Sequence, residues 1–176
     1  MADKSYLVLT AVGPDRPGLV SEISSLVHSA GANLEDSRMA ILGGEFALLV
    51  LVSGDETATR EVAARSDALG AKLGLHLFTK PTTQRQVATD HLPFQIRVTG
   101  ADRPGIVQRV TGVLAGRGVN VASFESRLDF APESGTPLFI LEAALQVPSA
   151  LALQDLRREL DKACEEEDWD YTLDAG

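Results

Sequence analysis

Two short runs of this 176-residue chain combine residue types that can hold a small zwitterion. Asp15-Arg16-Pro17-Gly18 and Asp102-Arg103-Pro104-Gly105 each join a carboxylate and a guanidinium to a proline and a glycine, just ahead of an apolar stretch with helical spacing. Proline presets φ for a first helical turn, and glycine lets a guest approach the backbone closely. The first amides of a helix lack intrahelical acceptors, so such a loop offers N–H groups to an anion. Asn33 and Asn120 follow the two runs at the same offset and open the next strand, beside the first strand or nearly so, with an amide that both donates and accepts. The set suits a free amino acid, its carboxylate on helix amides and its ammonium on the asparagine oxygen, backbone carbonyls or an aspartate. The same residues have a plainer use: Asp15 and Asp102 as caps, Pro17 and Pro104 as helix starters, Asn33 and Asn120 as local turn makers.

The elements that position these runs also occur twice. Gly13 to Val20 returns as Gly100 to Val107, Gly31-Ala32-Asn33-Leu34 as Gly118-Val119-Asn120-Val121, and Ser37-Arg38 slightly later as Ser126-Arg127. In each copy an alternating strand (Tyr6 to Val12; Phe94 to Thr99) leads to a helix with an apolar stripe: Leu19, Val20, Ile23, Leu26 and Val27, or Ile106, Val107, Val110, Val113 and Leu114. Two strands follow, across the Gly43-Gly44 turn in the first copy and across a longer Ala131 to Pro137 loop in the second. A second helix comes next, about Glu56 to Leu73, with a small-residue face that predicts looser packing, and Ala150 to Glu166, with Ser149 as cap. Short strands at Leu75 to Thr79 and Trp169 to Leu173 close the copies. The order βαββαβ predicts an α+β chain of two ferredoxin-like domains in tandem, each an antiparallel four-stranded sheet with two helices on one face. The domains are expected at 1–80 and 92–176, joined by a polar linker at 81–91. Exposed sheet edges invite pairing between domains or between copies, as a possible homodimer.

Composition narrows the function. An apolar share of 44% against 23% charged residues is that of a globular chain. The net charge of −9 repels polyanions, so direct nucleic-acid binding is disfavoured. No apolar run approaches the ~20 residues of a membrane span, and Met1 to Ser5 lacks the features of a signal peptide, so the protein is expected in the cytoplasm with no membrane partner. The lone Cys164 falls on a helical apolar stripe and reads as an inert core thiol. His28, His76 and His91 are scattered, which predicts no metal site and no cofactor; His28 reads as a packed or boundary residue.

The Asp-Arg-Pro-Gly turn, the apolar helix and the Gly-X-Asn opening of the next strand resemble ACT domains, over nearly the whole chain. Two such domains with no third, and a second-copy loop ending Gly135-Thr136-Pro137-Leu138-Phe139, resemble the glycine cleavage system transcriptional repressor family. That resemblance implies effector binding at Asp15 to Gly18, Asp102 to Gly105, Asn33 and Asn120, usually where ACT domains meet. It implies a non-catalytic regulator that restrains a DNA-binding activator protein without touching DNA, with a small amino acid such as glycine or serine as ligand.

Rival functions lack their residues. An acylphosphatase-like enzyme shares the topology, but the glycine-rich sequence around that family's arginine is missing near Arg16 and Arg103. Formyltetrahydrofolate deformylases carry a similar domain, yet their catalytic domain has no room here. An RNA-binding version of the fold needs paired aromatics and basic residues on its sheet. A stand-alone ACT module that regulates a metabolic enzyme remains the alternative. The run Glu165 to Asp168 reads as a solvated helix end or a docking point for a basic partner.

Overall fold

The computed structural model describes residues 4–83, 90–130 and 135–176. The chain divides into two compact units, Met1–Gln86 and Val87–Gly176, each with its own core.

The first unit runs β1 (Ser5–Pro14), α1 (Leu19–Ser29), β2 (Asn33–Leu42), β3 (Glu45–Gly54), α2 (Glu56–Leu73) and β4 (His76–Thr82). The second repeats it as β5 (His91–Ala101), α3 (Ile106–Gly116), β6 (Asn120–Phe130), β7 (Pro137–Pro148), α4 (Leu153–Glu165) and β8 (Trp169–Ala175). The sheets have the orders β2-β3-β1-β4 and β6-β7-β5-β8, every neighbour antiparallel. These are two ferredoxin-like sheets, as the element order predicts.

Strand alternation sorts the faces. Leu7, Leu9 and Ala11 of β1 and Phe46, Leu48, Val50 and Val52 of β3 are buried under the helices with Leu19, Ile23, Leu26 and Val27 of α1. In the second unit Ile96, Val98, Leu141 and Leu145 meet Ile106, Val110, Leu114, Leu156 and Leu160. Each fully buried leucine contributes about 1.5–3 kcal/mol by leaving water. Gly43 and Gly44 both take positive φ, 61° and 86°, which is what the tight hairpin between β2 and β3 requires.

Several expectations shift. Val20 and Val107 are 45% and 38% exposed, outside the stripe that buries their neighbours. The small face of α2 permits close approach where looser packing is expected: a Cβ on Gly70 would lie 2.8 Å from the Leu75 carbonyl oxygen. Asp55 caps α2 by accepting the Ala58 N–H at 2.7 Å. Ser149 does not cap α4, because β7 continues to Pro148 and the helix opens at Leu153 behind Ala152. β4 runs on through Pro81 and Thr82, and β5 begins at His91; residues 84–89 of the expected linker lie outside the described residues. His28 is exposed.

Candidate functional site

The candidate loops sit where β1 passes to α1 and β5 to α3. Asp15 donates its backbone N–H to the Gly44 carbonyl at 3.0 Å, which ties the first loop to the β2–β3 hairpin. Gly18 is the N-cap of α1 with φ 95°, and Gly105 that of α3 with φ 105°. Only glycine takes that conformation cheaply. Among the described residues no side chain caps either helix, so neither Asp15 nor Asp102 fills the plainer role. Pro17 and Pro104 precede the helices by two residues and shape the turn ahead of them. Asp15, Arg16, Pro17 and Gly18 are exposed, as are Asp102, Arg103, Pro104 and Gly105. Among the described residues Arg16 donates to the Pro17 carbonyl, at 3.4 Å. A depression of about 370 Å³ adjoins the first loop, lined by Asp15, Arg16, Gly18 and the start of α1 with Met39 and Phe46.

The first turns carry opposite charge. Glu22 of α1 pairs with Lys72 at 3.1 Å, whereas Arg109 of α3 is held by Glu166 at 2.6 Å and Glu167 at 3.0 Å. Two carboxylates of the acidic run therefore have an internal partner. Sequence reading missed this, because spacing alone does not bring α4's end beside α3's start.

The asparagines lie elsewhere. Asn33 is level with Ser53 of β3, and Ser53 with Tyr6 of β1, whereas Gly13 pairs with Phe46 at the other end of the sheet. Seven residues of strand, roughly 23 Å, separate the two levels. β3 also lies between β1 and β2. The second unit repeats the arrangement, with Asn120 level with Gln146 and Pro93, and Gly100 level with Phe139. Within one domain, then, the loop and its asparagine do not come together.

Each asparagine has polar company of its own. Asn120 donates through Nδ2 to Gln146 Oε1 at 2.8 Å. Asn33 stands near Glu35, which accepts from Lys4 Nζ at 2.5 Å and from Ser53 Oγ at 2.6 Å. Lys4 first, then Ser53, with Asn33 a smaller influence, hold the Glu35 carboxyl below its ordinary value. The Lys4 ammonium in turn is raised by Glu35 and lies 5.5 Å from the Tyr6 ring centre. A depression of about 620 Å³ opens at this end, lined by Lys4, Tyr6, Glu56, Arg60 and Thr82 among others. It is not the depression at the helix start. Among the described residues no three His, Cys, Asp or Glu side chains gather as a metal site requires, and no helix is long and apolar enough to cross a membrane.

Comparison with known proteins places these features. ACT domain models match residues 5–80 and 94–161. The chain is 31% identical, over 94% of its own length and 87% of the relative's, to the glycine cleavage system transcriptional repressor of Escherichia coli K12. The crystal structure of an unknown protein from Galdieria sulphuraria superposes with a TM-score of 0.86 at 32% identity, covering 99% of both chains. That of a protein assigned as a glycine cleavage system transcriptional repressor superposes with a TM-score of 0.73, also at 32% identity, over 97% of this chain and 96% of that one. With both halves matched and this similarity sustained along its length, the chain belongs to the tandem ACT-domain family of the glycine cleavage system transcriptional repressor.

Proposed function

We propose that the chain is a non-catalytic amino-acid sensor that controls expression of glycine cleavage genes by binding a DNA-binding activator protein, with glycine or serine as its ligand. The observation that carries this reading is the pair of glycine-capped helix starts, Gly18 and Gly105, which among the described residues take no cap from a side chain, in a tandem ACT chain. First-turn amides and the partial positive charge of the helix end favour a carboxylate. Asp15, Arg16 and Pro17, with Asp102, Arg103 and Pro104, shape the two loops, and Asn33 and Asn120 meet the ammonium end. Because these groups lie at opposite ends of each sheet, a ligand that touches both takes them from two ACT domains. The net charge of −9 supports a protein partner over DNA.

The test captures partners on immobilised chain from the source organism's lysate, with and without glycine, alongside a gel-shift assay on a glycine cleavage promoter. The proposal expects a DNA-binding protein whose recovery changes with glycine, and no shift by the chain alone. Direct retardation of the promoter would overturn it.

A further inference from the structure

No residue of the Asp15 to Gly18 loop lines the depression of about 620 Å³ at the start of α2, whose size falls in the ~300–1,000 Å³ range of small-molecule sites. Leu7, Ala63 and Pro81 supply its apolar lining, and Lys4, Arg60 and Glu56 its charges. The chain's own second unit shows what closes such a place. The two units correspond here residue by residue: Leu173 stands opposite Ile96 as Thr79 stands opposite Leu9, and Leu156, Leu160 and Cys164 of α4 are buried as Val62, Ser66 and Gly70 of α2 are. The same shift puts Arg157 at the place of Ala63 and Leu153 at that of Thr59. Arg157 donates to the Leu173 carbonyl at 2.6 Å, so its side chain crosses the gap between α4 and β8, and Leu153 packs against the core. Alanine and threonine leave the corresponding gap between α2 and β4 open.

We propose that this depression binds a small organic carboxylate whose apolar body is about the size of a leucine or phenylalanine side chain. The body takes the room that Leu153 and the hydrocarbon stem of Arg157 fill in the second unit, and leaves water against Leu7, Ala63 and Pro81. The carboxylate meets Lys4 and Arg60.

The sign of the head group follows from the charges around the opening. The chain carries a net charge of −9, yet two cations and one acid line this depression. The second unit has Gln154 where the first has Arg60, and His91 where it has Lys4, so the cation that it brings here is the plug itself. Glu56 takes an N–H of Arg60 at 2.5 Å, and Glu35 one of Lys4 at 2.5 Å. A guanidinium and an ammonium each carry further donors, so both can take a second carboxylate. Both pairs are solvent-exposed, so a ligand that shares their cations forfeits little. A ligand amine would instead meet two like charges.

The test follows the backbone amide signals of the full, isotope-labelled chain as 3-phenylpropionate is added. Saturable shifts at Glu56, Thr59, Ala63 and Thr82 are expected, with Kd about 1 mM, the strength that so small a ligand can reach. 3-Phenylpropylamine, with the same body and the opposite charge, should leave them unmoved. Arg60→Gln and Lys4→Gln should each weaken binding about three- to tenfold. Thr59→Leu together with Ala63→Arg, the residues of the second unit, should abolish it in a chain whose other signals stay in place. The acid should still bind when Gly18 and Gly105 are both replaced by valine, so this site and the sensor reading can fail separately. No shift of these amides by about 10 mM acid would overturn the proposal. So would equal binding of the amine, or undiminished binding by the Arg60→Gln chain or by the filled one.

Discussion

Asn33 and Gly18 belong to opposite ends of one sheet: Asn33 lies level with Tyr6, where β1 begins, and Gly18 opens α1 beyond the strand's far end. On the proposed reading the two serve as separate half-sites, and their loss should separate as well. Asn33→Ala together with Asn120→Ala is expected to weaken amino-acid affinity about tenfold, one or two hydrogen bonds' worth, with the fold intact because both side chains are exposed. Calorimetric affinity beside a thermal melt checks both halves of that statement.

Glycines at two positions of the second unit should respond in opposite directions. A Cβ on Gly100 would lie 2.3 Å from Cδ1 of the buried Trp169 indole, so Gly100→Ala should cost about 1–3 kcal/mol and perturb the emission of the chain's single tryptophan. Gly112 lies inside α3 with nothing within 4 Å of a Cβ, so Gly112→Ala should gain about 0.5–1 kcal/mol. Urea denaturation followed by fluorescence measures both.

Cys164 should be silent until the chain unfolds. Burial, with the nearby Asp161 and Asp170 adding to it, pushes the thiol up to about 11 from an ordinary 9.0. The thiol is therefore neutral at pH 8, and alkylation of native protein should be far slower than in denaturant. A raised value in the folded state means that the associated stability is present below pH 9.0 and is lost as pH rises through about 11.

The acid side has the opposite sign. Arg127 chiefly, and Arg97 with it, hold the Glu142 carboxyl below its ordinary 4.5. That contribution is present above pH 4.5 and disappears as pH falls through the lower folded value. Glu142→Gln should lessen the drop in melting temperature between about pH 5 and pH 3, and salt should shrink the difference, because the pair is solvent-screened.

How far the sequence could be read depends on which interactions are local. The hairpin at Gly43-Gly44 was legible because backbone sterics act within a few residues, whereas the helix starts expected at Pro17 and Pro104 lie at Leu19 and Ile106 behind left-handed Gly18 and Gly105. The false cap at Ser149 shows the limit. Its N–H is taken by the Asp90 carbonyl at 2.8 Å, so a strand pairing distant in sequence outbids a local helix signal. The Ser37-Arg38 and Ser126-Arg127 recurrence, two residues out of step in the sequence, is out of step in the sheets as well. From the partner of Asn33 to that of Arg38 is four residues along β3, Ser53 to Leu49; from the partner of Asn120 to that of Arg127 is six along β7, Gln146 to Ile140. The two arginines are therefore not equivalent. The separation of loop and asparagine follows from strand order, which spacing does not encode.

The most direct test is calorimetric titration of the full chain with each of the twenty amino acids. Saturable heat from glycine or serine at submillimolar to millimolar concentration, lost when Gly18 and Gly105 are both replaced by valine in chains that remain folded, is the predicted result. Silence across the whole panel at millimolar concentration would contradict the sensor account.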